Sequence, residues 1–166
     1  MMERLAIPAG EKWIALVSIR EGCVVGLSLT SRLPLDVRFA NEKERQTSPV
    51  AETERWLRLY FSGTAPDFTP PITPEGTAFQ LDVWAETAKI PYGTAISYGE
   101  LAKRVAIRRG TRPCAQAVGQ AMHANRILLL IPCHRVIAAG NRLGGYGGGE
   151  EFKRALLAGE GITVLD

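Results

Sequence analysis

The segment SYGELAKRVAIRRGTRPCAQAVGQAMH, residues 97–123, decides the fold of the C-terminal half. Ser97 stands three residues before Glu100, the spacing at which a serine oxygen accepts from the amide three residues on while the glutamate reaches back. This predicts a helix from Ser97 through about Val105. Pro113 suits the first turn of a following helix, where its missing N–H is no loss, and that helix runs to about His123. Its residues are small, Ala115, Ala117, Gly119 and Ala121, so it can approach another backbone closely. Across the end of the first helix and the turn after it, Lys103, Arg104, Arg108, Arg109 and Arg112 fall within ten residues without an acid. Two short helices joined by a basic turn have the form of a helix-turn-helix that lays its second helix against DNA. Plain helix packing and a solvated basic loop satisfy the same residues, so at this point the alternatives stand together.

Upstream the pattern changes. Trp13 to Ile19 and Cys23 to Leu29 are strand-like runs split by Arg20-Glu21-Gly22, which predicts a hairpin, and a short third strand is expected around Val37 to Phe39. Ala51 to Phe61 carries Trp56, Leu57, Leu59 and Tyr60 among charged residues, an amphipathic helix able to cover one face of that sheet. Pro66, Pro70, Pro71 and Pro74 then block regular structure. Past them Thr77 can cap a helix bearing Phe79, Val83 and Trp84, stopped by Ile90-Pro91-Tyr92-Gly93. The expected organisation is an α/β N-terminal lobe (1–62, a small antiparallel sheet plus a helix), a Pro-rich linker (63–76) and a mainly α C-terminal domain (77–166) with a helix-turn-helix-like DNA-binding module. A last helix starts at Glu150 and Glu151, turns Phe152, Leu156 and Leu157 inward and ends near Gly159.

The chain has 166 residues, 46% hydrophobic and 22% charged, as in soluble globular proteins. It holds no run near the roughly 18 apolar residues of a membrane span and no long apolar signal core at its start, so a cytoplasmic location without a membrane partner is expected. Cys23, Cys114 and Cys133 are an odd number without CxxC spacing, which disfavours a disulfide framework and a zinc ribbon. Neither metal nor cofactor is expected. Net charge is only +3, but residues 1–76 hold 9 basic against 10 acidic side chains and residues 77–166 hold 11 against 7. The positive excess therefore sits in the half with the two-helix unit.

Candidate chemistry lies at Ile131-Pro132-Cys133-His134-Arg135-Val136, directly after the apolar run Ile127 to Ile131. A run of that kind is buried, so Cys133 is expected on the floor of a pocket. A buried thiol is usually a small hydrophobe, the reading that fits Cys23 and Cys114. At Cys133 an adjacent imidazole and guanidinium supply a base and a fixed positive charge, the neighbours that favour a thiolate. Consecutive side chains often diverge, so a water can bridge His134 to the sulfur. The acids available to orient His134 are Glu150, Glu151 and Glu160. Gly144 to Gly149, around Tyr146, offers turns or close backbone approach to a ligand, and a phosphate-cradling loop is disfavoured because no GK[ST] follows.

Pro132-Cys133-His134-Arg135-Val136 resembles the active-site signature of the O6-alkylguanine-DNA alkyltransferases, the methylated-DNA–protein-cysteine methyltransferases. The likeness runs through Phe79 to Trp84, Ile90-Pro91-Tyr92-Gly93, Ser97 to Ala102, Ala117-Val118-Gly119, Asn125, Gly144-Gly145-Tyr146 and Leu156 to Gly161. It covers the C-terminal half densely, whereas the N-terminal lobe matches only in length and α/β character.

The resemblance implies a single-turnover repair protein that flips O6-alkylguanine, with O4-alkylthymine as a further substrate, out of double-stranded DNA and moves the alkyl group to Cys133. It implies His134 as base through a water, Glu160 as its orienter, Asn125 as brace of the turn and Tyr98 as proton donor to the leaving guanine. Met122, Val136, Tyr146, Gly147 and Lys153 would line or close the base pocket. Gln116, Ala117, Gly119 and Arg112 would face DNA, and Arg135 would be structural or phosphate-facing. The protein is expected to act as a monomer, with cooperative assembly on DNA open. One position departs from the pattern: Gln116 stands where the family carries an intercalating arginine, and Arg112 or Arg109 is a candidate to compensate. A non-catalytic lesion-binding protein is the alternative, disfavoured by the presence of Cys133, and a cysteine hydrolase ranks below it.

Overall fold

The hairpin expected over 13–29 gains strands on one side only. In the computed structural model, which describes residues 1–145 and 149–165, the chain divides into two compact units, Met1–Pro74 and Glu75–Asp166. The first unit holds β1 (Glu3–Ala9), β2 (Trp13–Arg20), β3 (Cys23–Thr30), β4 (Arg38–Phe39) and α1 (Val50–Phe61). Sheet order is β3-β2-β1-β4, with β1/β2 and β2/β3 antiparallel and β4 parallel to β1. The sheet is thus mixed rather than purely antiparallel. β1 escaped the sequence reading because Pro8 and the charged Glu3 and Arg4 interrupt its short apolar core.

The strand register explains why Ile14 to Val17 reads as a continuous apolar run. Ala6 pairs with Leu16, and both pack with Val37, Ile14 and Leu33 on one face. Leu5, Ile7 and Ala9 point the other way by alternation and are buried; α1 packs against β1 and buries Val50, Trp56, Leu57 and Tyr60. Burial on both faces removes the alternation that a one-sided sheet shows. Within the Pro-rich segment, Val24 N–H donates to Pro71 O at 2.8 Å and Thr73 N–H to Val24 O at 2.9 Å, so residues 71–73 lie alongside β3.

The second unit packs α2 (Ala78–Thr87), α3 (Tyr98–Arg109) and α4 (Ala115–His123) against one another, with α5 (Glu150–Gly159) following. Between them β5 (Ile96–Ser97) pairs in parallel with β6 (Val136–Ile137). Thr77 caps α2 in a full capping box, its side chain accepting from Gln80 N–H while Gln80 accepts from Thr77 N–H. Ser97 caps α3 by accepting from Glu100 N–H at 3.1 Å. The Glu100 carboxylate, expected to reach back, instead accepts from Arg104 one turn on, at 3.3 Å. α3 also outlasts the expected end near Val105, because Ala106 to Arg109 tolerate a helix and the stop is Gly110 at φ 66°. Pro113 precedes α4 rather than sitting inside it, since Cys114 is extended and is the N-cap. No described helix is long and apolar enough to cross a membrane.

The capping box satisfies two N-terminal amide donors of α2 at once. Thr77→Ala is expected to lower the free energy of unfolding by about 1 kcal/mol, read as a fall in the urea midpoint, and an unchanged midpoint would refute the assignment.

Candidate active site

Cys133 ends the buried run 127–131 as expected, but that run is a chain of turns rather than a strand. Leu129 takes φ 69°, and Ile131 N–H donates to Ile127 O at 3.1 Å. All five apolar side chains are buried, so the turns are anchored by their side chains. Asn125 closes the loop from within: its Oδ1 accepts from Ile127 N–H at 3.0 Å, and its Nδ2 donates to Ile131 O and to Cys133 Sγ, each at 3.2 Å. One amide thereby fixes the end of α4, the apolar turn and the sulfur. Cys133 is 4% exposed and opens a short 3-10 turn, Cys133–Arg135, that runs into β6.

His134 is fully buried, with Nε2 2.5 Å from Glu160 Oε2. Glu160 is the C-cap of α5, which selects it from the three acids considered. With Nε2–H donated to this carboxylate, the imidazole lone pair falls on Nδ1, the nitrogen able to act as a base. Burial holds the His134 pKa below its ordinary 6.5 and outweighs the opposing pull of Glu160; the charges on Arg135 and Lys153 add to the lowering. His134 is therefore neutral near pH 7.

Glu160 Oε1 accepts from Gly93 N–H at 2.9 Å and from Arg135 Nε at 2.8 Å. Arg135 also donates to Ile90 O at 2.8 Å and lies over the Tyr92 ring. Of the two expectations for Arg135, structural or phosphate-facing, this favours the structural one: it is buried, and its guanidinium is spent on Glu160 and the Ile90 carbonyl. The sequence reading took Ile90-Pro91-Tyr92-Gly93 as a helix stop and as part of the family likeness, without a role in the site. Its Gly93 amide and Tyr92 ring are parts of the Glu160 network, and the only signal was the spacing that the family resemblance carries.

Tyr98 arrives by strand pairing. Ile96 lies opposite Val136 and Ser97 opposite Ile137, which sets the first residue of α3 beside the Cys133 turn. The Tyr98 hydroxyl donates to Gly145 O at 3.2 Å, and burial, with the charge at Cys133, pushes its pKa above 10. It therefore stays protonated. Lys153 on α5 is fully buried, with Nζ donating to Val136 O at 2.7 Å and Gly145 O at 3.0 Å. Val136 and Met122 are buried as well, Met122 on the inner face of α4 with Thr87 Oγ1 3.8 Å from its sulfur. Tyr146 and Gly147 lie outside the described residues.

On the outer face of α4, Gln116 is exposed and Ala117 half-buried, and a Cβ on Gly119 would meet nothing within 4 Å. Arg112 is exposed in the turn before the helix. Arg104, Arg108 and Arg109 are less available, Arg104 being bound by Glu100. Asp82 of α2 binds Arg108 at 3.0 Å and Arg109 at 2.5 Å, and Arg109 also covers the Phe79 ring. The counterion that the basic stretch lacks locally comes from a neighbouring helix.

Because the unfolded chain takes up a proton at His134 near pH 6.5 and the folded chain resists it, stability from this group is complete above 6.5 and is lost as pH falls. Urea unfolding from pH 7.5 down to pH 5.5 is expected to show that decline, and His134→Gln should shrink it. Equal declines in both proteins would sink the assignment.

Residues 78–162 match the family described as 6-O-methylguanine DNA methyltransferase, DNA binding domain. The methylated-DNA–protein-cysteine methyltransferase of Methanosarcina acetivorans is 43% identical over 110 residues, 66% of this chain and 68% of that protein. The constitutive methylated-DNA–protein-cysteine methyltransferase of Bacillus subtilis is 38% identical over 127 residues, 76% of this chain and 74% of that one. Among solved structures, Mycobacterium tuberculosis OGT in complex with DNA superposes with a TM-score of 0.76 at 31% identity, covering 95% of this chain and 91% of that one. With its PCHRV turn, Asn125 brace and His134–Glu160 pair in place, the chain belongs to the methylated-DNA–protein-cysteine methyltransferase family.

Proposed function

We propose that the protein repairs DNA by direct reversal, taking the alkyl group from O6-alkylguanine in a duplex onto Cys133 Sγ and acting once per molecule. The observation that carries this reading is a buried sulfur held by Asn125 beside a neutral His134 that Glu160 orients. A sulfur at 4% exposure cannot reach a base inside the stack, so the base must be extruded to reach the sulfur.

His134 takes the thiol proton through a water, and the thiolate attacks the alkyl carbon. The S–C bond forms as the C–O6 bond breaks, and the electron pair goes to guanine, whose charge spreads over the ring. Tyr98 protonates the leaving base and recovers its proton from the His134 side, so overall the thiol proton ends on guanine. The product is a thioether with no easily displaced group. No step needs a metal or cofactor.

The exposed edge of α4, with Gln116, Ala117 and Gly119, suits close approach to a minor groove better than bidentate base reading. Arg112 is the basic side chain nearest to it in the chain and stands exposed, whereas Arg109 is bound by Asp82. Of the two candidates to make up for the missing arginine at 116, Arg112 is therefore the better placed. Double-stranded DNA is the partner, the protein acts on it as a monomer, and the cytoplasm is its compartment.

Incubation with a duplex containing O6-methylguanine is expected to add one methyl group to the peptide bearing Cys133, one per protein molecule, and none in Cys133→Ala. An unmodified Cys133 after long incubation, with preferential binding of the alkylated duplex retained, would turn the reading to a lesion binder. In capture of the same duplex, Arg112→Ala is expected to weaken binding more than Gln116→Ala does, and the reverse order would reject compensation by Arg112.

A further inference from the structure

Asp82 has no part in the reaction above, yet it gathers two of the five cations that precede α4. Its Oδ1 accepts from Arg108 Nε at 3.0 Å and its Oδ2 from Arg109 Nη1 at 2.5 Å, across 26 and 27 residues of chain. Phe79, three residues before Asp82 and on the same face of α2, lies under the Arg109 guanidinium, whose Cζ is 5.3 Å from the ring centre. The hydrogen bonds from Arg109 and Arg108 hold the Asp82 carboxyl below its ordinary pKa of 3.8, so it is ionised at neutral pH. The Asp82 and Arg109 side chains are 28% exposed and that of Arg108 39%, so water reaches all three. Ion pairs in such a setting contribute little to stability, and the cluster calls for another reason.

Arg108 and Arg109 close the last turn of α3, and Gly110 with the exposed residues Thr111 to Cys114 leads from them into α4. In a helix-turn-helix the first helix crosses the sugar–phosphate backbone while the second presents its N-terminal end to a groove. The junction between the helices therefore lies where phosphates pass. A phosphodiester offers two anionic oxygens to guanidinium groups. The Asp82 carboxylate offers the same number, one to each arginine.

We propose that Asp82 is an internal stand-in for a DNA phosphate: it occupies Arg108 and Arg109 and so sets how tightly the protein holds undamaged duplex. This role rests on duplex DNA being the partner, and it adds to the repair reading a control on the step before extrusion. Phosphate attraction draws a protein to every site alike, and a protein that acts once gains nothing from a long stay at an intact one. Withholding two arginines lowers that common affinity and leaves Cys133 and its pocket unaltered.

The test is equilibrium binding of undamaged duplex, read by fluorescence anisotropy across a salt series. Each phosphate neutralised adds about 0.9 to the slope of log affinity against log salt. Asp82→Asn frees two arginines, so its slope is expected to be steeper than that of wild type by about 1.8. The variant binds more tightly at low salt, and this advantage is expected to shrink about tenfold between about 50 and about 200 mM salt. Transfer from free O6-benzylguanine, which bypasses duplex binding, is expected to be the same in both proteins. The triple variant Asp82→Asn, Arg108→Gln, Arg109→Gln is expected to return to the wild-type slope, which assigns the gain to the arginines. Equal slopes for wild type and Asp82→Asn, or a triple variant as steep as the single one, would overturn the proposal. Should Asp82→Asn not fold, the double variant Arg108→Gln, Arg109→Gln decides. An unchanged slope supports the role, because the arginines are already withheld, and a loss of about 1.8 rejects it. Expected slopes without benzyl transfer by either protein would reject the alkyl-transfer reading and leave the role of Asp82 standing.

Discussion

Glu160 is the interaction on which the site depends. A carboxylate taken out of water costs several kcal/mol unless its oxygens are fully used, and here they take Gly93 N–H, Arg135 Nε and His134 Nε2. These donors come from the turn after α2 and from two successive residues of the Cys133 turn, while the acid itself caps α5. Since His134 is neutral, Arg135 supplies the balancing charge. The proposed base is therefore oriented by the same ion pair that holds the end of the last helix to the rest of its unit. Loss of the acid would leave a buried guanidinium uncompensated, a change on the order of 3–5 kcal/mol, so orientation of the imidazole cannot be lost without loss of the fold around it.

The second constraint is the two-residue pairing of β5 with β6. So short a ladder contributes little by itself, yet Ser97 is at once the end of β5 and the cap of α3. The register Ser97 opposite Ile137 thus converts directly into the position of Tyr98. Asn125 does the equivalent for the sulfur, since the amide that stops the chain leaving α4 also touches Cys133 Sγ. The two elements of the two-helix unit are each tied to the Cys133 turn at one end.

These ties also explain what could be read from the sequence. Helix starts and the first hairpin turn were legible because their signals are local: Ser97 with Glu100, Thr77 before an apolar run, and Gly22 between two strand-like runs all act within a few residues. The apolar run before Cys133 was legible as buried for the same reason. Its turns were not, because a left-handed Leu129 is held by packing and by Asn125 rather than by its own preference. Arg135 stayed open between a structural and a phosphate-facing role because charge alone reads as exposed, and its partner Glu160 lies 25 residues away. β1 was missed for a related reason: its apolar core is short, and only pairing with β2 makes it a strand.

The basic stretch shows the same limit from the other side. Counted in sequence it holds five cations in ten residues, which suggests a strong phosphate-binding surface. In the fold Glu100 binds Arg104, and Asp82 binds both Arg108 and Arg109. The two Asp82 pairs tie the end of α3 to α2, while the Glu100–Arg104 pair lies within α3. Three of the five cations are thus paired with carboxylates of the helical unit rather than left for phosphate. For a DNA-repair alkyltransferase this division is physically sensible. Phosphate attraction acts on all DNA alike, whereas selection occurs only once a base is out of the stack and reaches a sulfur that is otherwise shut away.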